Sequence, residues 1–294
     1  MTEALRPLQD YDDRRGYDPG FVLPDTPLPL PGAGRWADDL APLTPEARRP
    51  GQDVSELRYT HFSVRMSQSR GLPLFSACNI DGAQSDREVP RDDTWRRDPR
   101  IDARFQNLRE GYGDERRGLF SRGHMTRRED PNWGDADTAR RANADTFHIT
   151  NVAPQRQGFN GGIWLQLEDY VIDNADRANL KVSVITGPFL TPEDPVYYNR
   201  PIPVAFWKIL AFVHAGTGEL TTIGYRRSQM DYLPRPSGGR FVFGDFQDSQ
   251  VPISAIAQES GLDLTPYADL DVMAAAAPEM EIRLSSVSDF YLRR

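Results

Sequence analysis

Side chains that can move a proton or hold a cation lie in three short segments, at residues 121–125, 150–155 and 159–168. A neutral histidine such as His124 can take a proton from water near pH 7, because the ordinary pKa of imidazole lies close to that pH. Mg²⁺ prefers oxygen ligands and keeps most of its waters, so an amide such as Asn160 and a carboxylate such as Glu168 can hold it. Together, a proton acceptor and a divalent cation suit the hydrolysis of a phosphodiester bond.

Asn160 and Glu168 lie within the segment 159–175, whose apolar spacing predicts a helix that starts near Asn160. Eight residues are just over two helical turns, so the two side chains share roughly one face with an offset of about 80°. We therefore expect one residue to bind the metal and the other to hold a metal-bound water. Taken singly, His124, Asn160 and Glu168 are each more often structural than functional, as a loop histidine, a helix cap and a solvated glutamate.

The combination is more specific, because RGH, TNxxPQ and FNxGxWxxLE follow one another in order. This arrangement resembles the DNA/RNA non-specific endonucleases, the ββα-metal nucleases to which endonuclease G belongs, over roughly residues 16–270. The resemblance implies a general-base role for His124, a phosphate contact for Arg122 and support of the site geometry by Asn151. It also implies that Asn160 binds Mg²⁺, with Mn²⁺ as a substitute, and that Glu168 orients metal-bound water. The implied substrates are DNA and RNA.

Two positions depart from the family pattern. Ser121 stands where the family usually has an aspartate, so it offers a hydrogen bond but no charge. Asp93 stands two residues before Trp95, where the family has a second phosphate-binding arginine. Arg91 and Arg96 are the candidates to replace that arginine, and we favour Arg91. We expect activity to survive with Ser121, with an altered pH dependence as one outcome.

The charge is unevenly distributed along the chain. The net charge of −8 argues mildly against a polyanionic partner. Residues 87–128, however, hold 12 arginines and 8 acidic residues, a local charge of +4 that leaves −12 for the rest. This segment is either a salt-bridged surface loop or a surface that meets phosphate groups, to which the planar guanidinium is well suited.

The lone cysteine and the lack of long apolar runs exclude several classes of protein. Cys78 permits no intramolecular disulfide or thiolate metal cluster, and its apolar neighbours at 72–80 predict that it is buried. No apolar run approaches the roughly 20 residues needed to cross a membrane, and the N-terminus has no signal-peptide pattern. We expect no membrane partner and a cytoplasmic location by default, with non-classical secretion as the alternative.

Strands dominate the elements that the sequence predicts. Strands are expected at 57–66, 72–80, 146–152, 180–189, 204–214 and 220–228, helices at 159–175 and 253–262, and a long functional loop at 83–145. This pattern indicates an α+β class, and the resemblance implies the ββα-metal nuclease fold, with a central, mainly antiparallel sheet flanked by helices and long loops. We interpret residues 1–52 as a proline-rich arm packed on a single domain formed by 53–294.

Several alternatives remain open from the residues. Ser121 and Asp93 are compatible with a catalytically impaired nucleic-acid-binding homologue, and the same groups could hydrolyse a cyclic or lipid-linked phosphodiester. The proline-rich arm is compatible with a delivered toxin that needs an inhibitor or immunity protein. Homodimers are common in the family that the chain resembles.

Overall fold

A computed structural model describes residues 3–113, 120–156, 159, 173, 175, 179–214, 217–229, 249–277 and 279–283. Strands account for most of the regular structure in these ranges. The strands are β1 (Ala4–Leu5), β2 (Leu57–Arg58), β3 (Phe62–Ser67), β4 (Leu72–Asp81), β5 (Arg96–Arg97), β6 (Ser121–His124), β7 (Val152–Gln155), β8 (Lys181–Pro188), β9 (Val196–Tyr197), β10 (Arg200–Pro201), β11 (Ala205–Val213), β12 (Leu220–Ser228), β13 (Ser249–Val251) and β14 (Ile282–Arg283). The α-helices are α1 (Ala136–Thr146), α2 (Ile253–Ser260) and α3 (Thr265–Ala268).

An eight-stranded sheet forms the centre of the described chain. Its strand order is β14-β13-β12-β11-β8-β4-β3-β2, and every neighbouring pair is antiparallel. The predicted central antiparallel sheet is therefore confirmed. The predicted strand at 220–228 coincides with β12, and those at 72–80, 180–189 and 204–214 agree with β4, β8 and β11 to within one residue at each end. The predicted run 57–66 divides into β2 and β3.

Apolar clusters cover both faces of this sheet. On β4, Phe75 and Ala77 belong to one cluster, whereas Cys78 and Ile80 belong to the other. Cys78 is fully buried, as predicted. Strands that are covered on both faces need apolar side chains at nearly every position, which explains the continuous apolar runs of the sequence.

The N-terminal segment before residue 52 packs into both clusters. Tyr17 and Leu28 join the first cluster, and Tyr11 and Leu43 join the second. These side chains are at most 5% exposed. The division of the chain between residues 52 and 53 stays a prediction.

Two expectations for the middle of the chain are wrong. Residues 83–145 are not one long loop, because they contain β5, β6 and most of α1. Residues 146–152 are not a strand, because Thr146 ends α1 and residues Ile149–Asn151 form a 3₁₀ turn before β7 begins. Helix α1 begins at a strong cap, since the Asp135 carboxylate accepts from the backbone nitrogens of Asp137 and Thr138 at 3.0 and 2.8 Å.

The predicted helix at 253–262 is confirmed as α2. It ends at Gly261, whose φ of 72° is the left-handed conformation typical of a glycine C-cap. The predicted helix at 159–175 lies outside the described residues except at Phe159, Asp173 and Ala175. Within the described ranges, no helix is both long enough and apolar enough to cross a bilayer.

Candidate functional site

A two-stranded ribbon outside the main sheet carries His124 and Arg122. Strand β6 pairs antiparallel with β7, so that His124 lies opposite Val152 and Arg122 lies opposite Pro154. Val152 is fully buried, which fixes the ribbon against the molecule. The ribbon therefore presents two of the predicted site residues from one short strand.

Gly123 and Ser121 shape the other positions of this ribbon. A Cβ atom at Gly123 would lie 1.9 Å from Oε1 of Gln155, so the close approach of that side chain requires glycine. The Ser121 hydroxyl donates to the backbone oxygen of Gln155 at 3.0 Å. Position 121 thus ties β6 to β7 through a neutral hydrogen bond, where the family usually places a carboxylate.

The imidazole of His124 packs against two aromatic rings. Its centroid is 5.4 Å from that of Trp95 and 5.2 Å from that of Phe147, the latter edge to face. Atom Nε2 is buried and has no hydrogen-bond partner among the residues that the structure describes. Buried polar atoms in folded proteins nearly always have partners, so an unpaired nitrogen marks a position that keeps a free lone pair or proton.

The surroundings of His124 favour the neutral imidazole. Burial, together with the positive charges of Arg91 and Arg128, lowers the pKa of His124 to about 3, against a smaller opposing effect of Asp93. At neutral pH the ring is therefore uncharged and can accept a proton. A bound anion would oppose the two arginines and raise the pKa of His124.

Arg122 lies beside the same tryptophan. Its guanidinium carbon is 4.9 Å from the centre of the Trp95 ring and 5.6 Å from that of Tyr112. One of its terminal nitrogens donates to the carboxylate of Glu3. The Tyr112 hydroxyl is buried without a partner in the described part of the chain. Trp95 thus contacts both predicted residues of β6.

Asn151 is fully buried behind His124. Its Oδ1 accepts from the backbone nitrogen of Thr126 at 3.0 Å, and its Nδ2 donates to the backbone oxygens of Thr126 and Thr146 at 2.9 and 3.1 Å. The backbone nitrogen of Met125 donates to the backbone oxygen of Asn151 at 2.8 Å. Asn151 therefore joins the two residues that follow His124 to the end of α1.

The two arginines considered for the missing family arginine differ in their surroundings. Arg91 has a side chain that is 55% exposed, its guanidinium carbon lies 5.2 Å from the centre of the Phe147 ring, and it pairs with Asp93. Arg96 is buried, and its guanidinium donates to the backbone oxygen of Ala144 and to the carboxylate of Asp92. Only Arg91 combines exposure with nearness to the His124 ring.

The predicted metal ligands, Asn160 and Glu168, lie outside the described residues. In the described ranges, no group of three or more His, Cys, Asp or Glu side chains could hold a metal ion. The structure brings together His124, Arg122 and Arg91 around Trp95 and Phe147, while Asn151 joins the residues after His124 to the end of α1. Sequence reasoning missed Glu3, which lies 119 residues from its partner Arg122 and belongs to no motif.

Comparison with known proteins gives related sequences. The model of the DNA/RNA non-specific endonuclease family matches residues 44–270. The chain is 36% identical over 302 residues to the uncharacterized protein y4fB of Sinorhizobium fredii, and the aligned region covers 98% of this chain and 44% of y4fB. It is 30% identical over 167 residues to mitochondrial endonuclease G of Homo sapiens, and the aligned region covers 52% of this chain and 50% of that protein. The chain thus spans half or less of these two relatives.

Comparison with solved structures gives the fold. A chain in the crystal structure of the EndoG/EndoGI complex aligns with a TM-score of 0.54 at 20% identity, covering 73% of this chain and 86% of that one. Together with the antiparallel sheet, this match confirms the α+β fold expected from the sequence. The family resemblance of the three motifs is confirmed as well.

Proposed function

Because the chain belongs to the DNA/RNA non-specific endonuclease family, we propose that it hydrolyses phosphodiester bonds of DNA and RNA with little sequence preference. One observation carries the proposal, namely that the buried Nε2 of His124 has no partner among the described residues, while the His124 ring and the Arg122 guanidinium both contact Trp95. A proton acceptor and a phosphate-binding charge on one strand meet two needs of an in-line attack by water, a base for the water and positive charge for the phosphate.

In this mechanism His124 acts as the general base. The neutral imidazole takes a proton from a water molecule as that water attacks phosphorus. The bond from phosphorus to the 3′ oxygen then breaks, and the departing 3′ oxygen takes a proton from water. Arg122 donates to a phosphate oxygen, where negative charge grows in the transition state. Arg91 adds positive charge at the exposed edge of the site. Asn151 touches no reacting atom; it is a positioning residue that holds the backbone after His124.

The proposed cofactor is Mg²⁺, with Mn²⁺ as a substitute, held by Asn160 and with Glu168 steadying its waters. An amide oxygen and a carboxylate are a donor set that fits magnesium. When bound, the ion would supply positive charge to the phosphate and to the departing oxygen. The proposed partners of the site are its substrates, DNA and RNA. A homodimer and an inhibitor protein as partner stay predictions from the sequence.

A plasmid-nicking assay tests the proposal directly. We expect the full chain to nick and linearise plasmid with Mg²⁺ and to be inactive in EDTA. Binding without nicking under any divalent metal would favour the impaired nucleic-acid-binding homologue. Cleavage of a small chromogenic diester with plasmid left intact would instead favour a hydrolase of another phosphodiester.

The same assay tests the metal ligand. We expect Asn160→Ala to need about tenfold to a hundredfold more Mg²⁺ for half-maximal nicking, because loss of even an outer-shell group that orients a metal ligand lowers metal affinity by about that factor. Asn132→Ala is the matched control, since that buried amide makes no hydrogen bond with the described residues. A magnesium titration that superimposes on that of the unmodified protein would count against Asn160 as a ligand.

The pH dependence of activity tests the surroundings of His124. A general base works while neutral, and a lowered pKa keeps it neutral at lower pH, so the acid limb of kcat/KM should lie below the ordinary imidazole value of about 6.5. Arg91→Gln should move that limb to higher pH, because Arg91 is the charge that lowers the pKa of His124 most. The measurement is kcat/KM from about pH 8 down to about pH 2.5, so that the profile reaches the pKa of His124.

The matched control for this profile is Arg104→Gln. The Arg104 side chain is 74% exposed and pairs with Asp102. The substitution therefore removes the same charge as Arg91→Gln, but at a surface position. Its acid limb should coincide with that of the unmodified protein. If Arg91→Gln also leaves the limb in place, Arg91 does not act on His124.

A further inference from the structure

The N-terminal strand brings a carboxylate onto the guanidinium of Arg122. Strand β1 runs parallel to β5, with Ala4 opposite Arg96, and the backbone nitrogen of Ala4 donates to the Trp95 oxygen at 2.8 Å. Glu3, the residue before this strand, is thereby placed beside Trp95. Its carboxylate accepts from a terminal nitrogen of Arg122.

This ion pair is largely shielded from solvent. The Glu3 side chain is 7% exposed and that of Arg122 is 16% exposed, with the Trp95 and Tyr112 rings beside the guanidinium. Shielding from water strengthens the attraction between the two charges. A carboxylate and a phosphate offer a guanidinium the same kind of oxygen acceptor. Glu3 therefore holds the kind of position on Arg122 that a phosphate oxygen would take.

The segment that carries Glu3 is lightly attached. Strand β1 has two residues, both with exposed side chains, and Leu5 is 59% exposed. The following Arg6 lies 3.8 Å from the buried carboxylate of Asp145, which anchors the chain beyond the strand. Short segments with few buried contacts open at low free-energy cost. Glu3 can thus leave Arg122 while the anchor at Arg6 remains.

We propose that Glu3 is an affinity-determining residue that competes with the substrate phosphate for Arg122, so that nucleic acid binds fully only after displacing the Glu3 carboxylate. This inference rests on the phosphate-binding role of Arg122 in the proposed function. The competition weakens binding of nucleic acid and raises KM, while the chemical step after displacement is unaffected. If Glu3 instead oriented Arg122 for the substrate, its removal would weaken binding, so the sign of the effect separates the two roles.

The test measures binding of the full chain to a short fluorescent single-stranded DNA in EDTA by fluorescence anisotropy. We expect Glu3→Gln to lower Kd by about threefold to tenfold, the effect of one shielded charge pair. Glu46→Gln, an exposed carboxylate in the 3₁₀ turn Pro45–Ala47, removes the same charge elsewhere and should leave Kd near that of the unmodified protein. With Mg²⁺ present, Glu3→Gln should lower KM more than it changes kcat.

The same binding measurement on Arg122→Ala separates a failure of the Glu3 proposal from a failure of the phosphate-binding role of Arg122. There the effect of Glu3→Gln should disappear, because no guanidinium remains to compete for. If Arg122→Ala alone binds DNA as tightly as the unmodified protein, the phosphate-binding role of Arg122 is wrong. If Arg122→Ala weakens binding but Glu3→Gln alone leaves Kd unchanged or raises it, the competition by Glu3 is overturned and the role of Arg122 stands.

Discussion

His124→Ala should reduce kcat for plasmid cleavage by about 10²–10⁴-fold, because that is the usual contribution of a positioned general base. KM should change little, since the imidazole takes its proton from water and does not bind the phosphate. The fold should survive the substitution. Because Nε2 has no partner in the described structure, losing this atom leaves no described polar group without its hydrogen bond. A loss of activity can therefore be assigned to the chemistry.

His214→Ala is the matched control for this variant. His214 directly follows β11 and contacts Thr217, away from the ribbon that carries His124. The His214→Ala variant should cut plasmid at nearly the rate of the unmodified protein. Circular dichroism and thermal melts of both variants establish that each is folded. Near-normal cutting by folded His124→Ala would remove His124 from the mechanism.

The sequence predicted those elements whose stability comes from apolar burial. Strand β12 has the predicted bounds, and helix α2 has the predicted start, because apolar periodicity and the Gly261 cap both leave a direct mark in the sequence. Helix α1 left no such mark. Alanines are its only apolar residues, and its start depends on the Asp135 cap. A cap followed by alanines at helical spacing was the signal that could have identified it.

The mistaken strand at 146–152 has a specific physical cause. Threonine, isoleucine and valine favour strands, but local hydrogen bonds override that preference here. The backbone nitrogen of Asn151 donates to the His148 oxygen at 2.9 Å, and the Asn151 side chain donates to the oxygen of Thr146. These contacts close a 3₁₀ turn in which Asn151 points inward. The residue that the motif singled out is thus the one that changes the local structure.

The candidate site was only partly predictable for a different reason. Motif order identified His124, Arg122 and Asn151, and the structure places them together. The competing partner Glu3 reaches Arg122 by tertiary pairing of β1 with β5, which follows from no local pattern. The sequence already favoured Arg91 over Arg96, but their difference in exposure follows from tertiary contacts, because Arg96 is buried against the end of α1.

The second large effect is expected for Asn151→Ala. Loss of the amide leaves the backbone nitrogen of Thr126 and the oxygens of Thr126 and Thr146 without this partner in a buried region. We expect the free energy of unfolding to fall by about 1–3 kcal/mol, the cost of buried unsatisfied polar groups. Because the freed backbone directly follows His124, kcat should also fall by about a hundredfold, the effect of a small misplacement of a catalytic group.

The split between kinetic constants distinguishes positioning from a purely structural role. Measured at a temperature at which Asn151→Ala is folded, kcat should fall while KM and the Mg²⁺ requirement stay near normal, because Arg122 and the proposed metal ligands are untouched. Asn132→Ala, a buried amide without a partner in the described structure, should change neither kcat nor the unfolding free energy by much. Should Asn151→Ala lose stability yet keep its kcat, the amide only holds the fold together, and the position of His124 must be set by its contacts with Trp95 and Phe147.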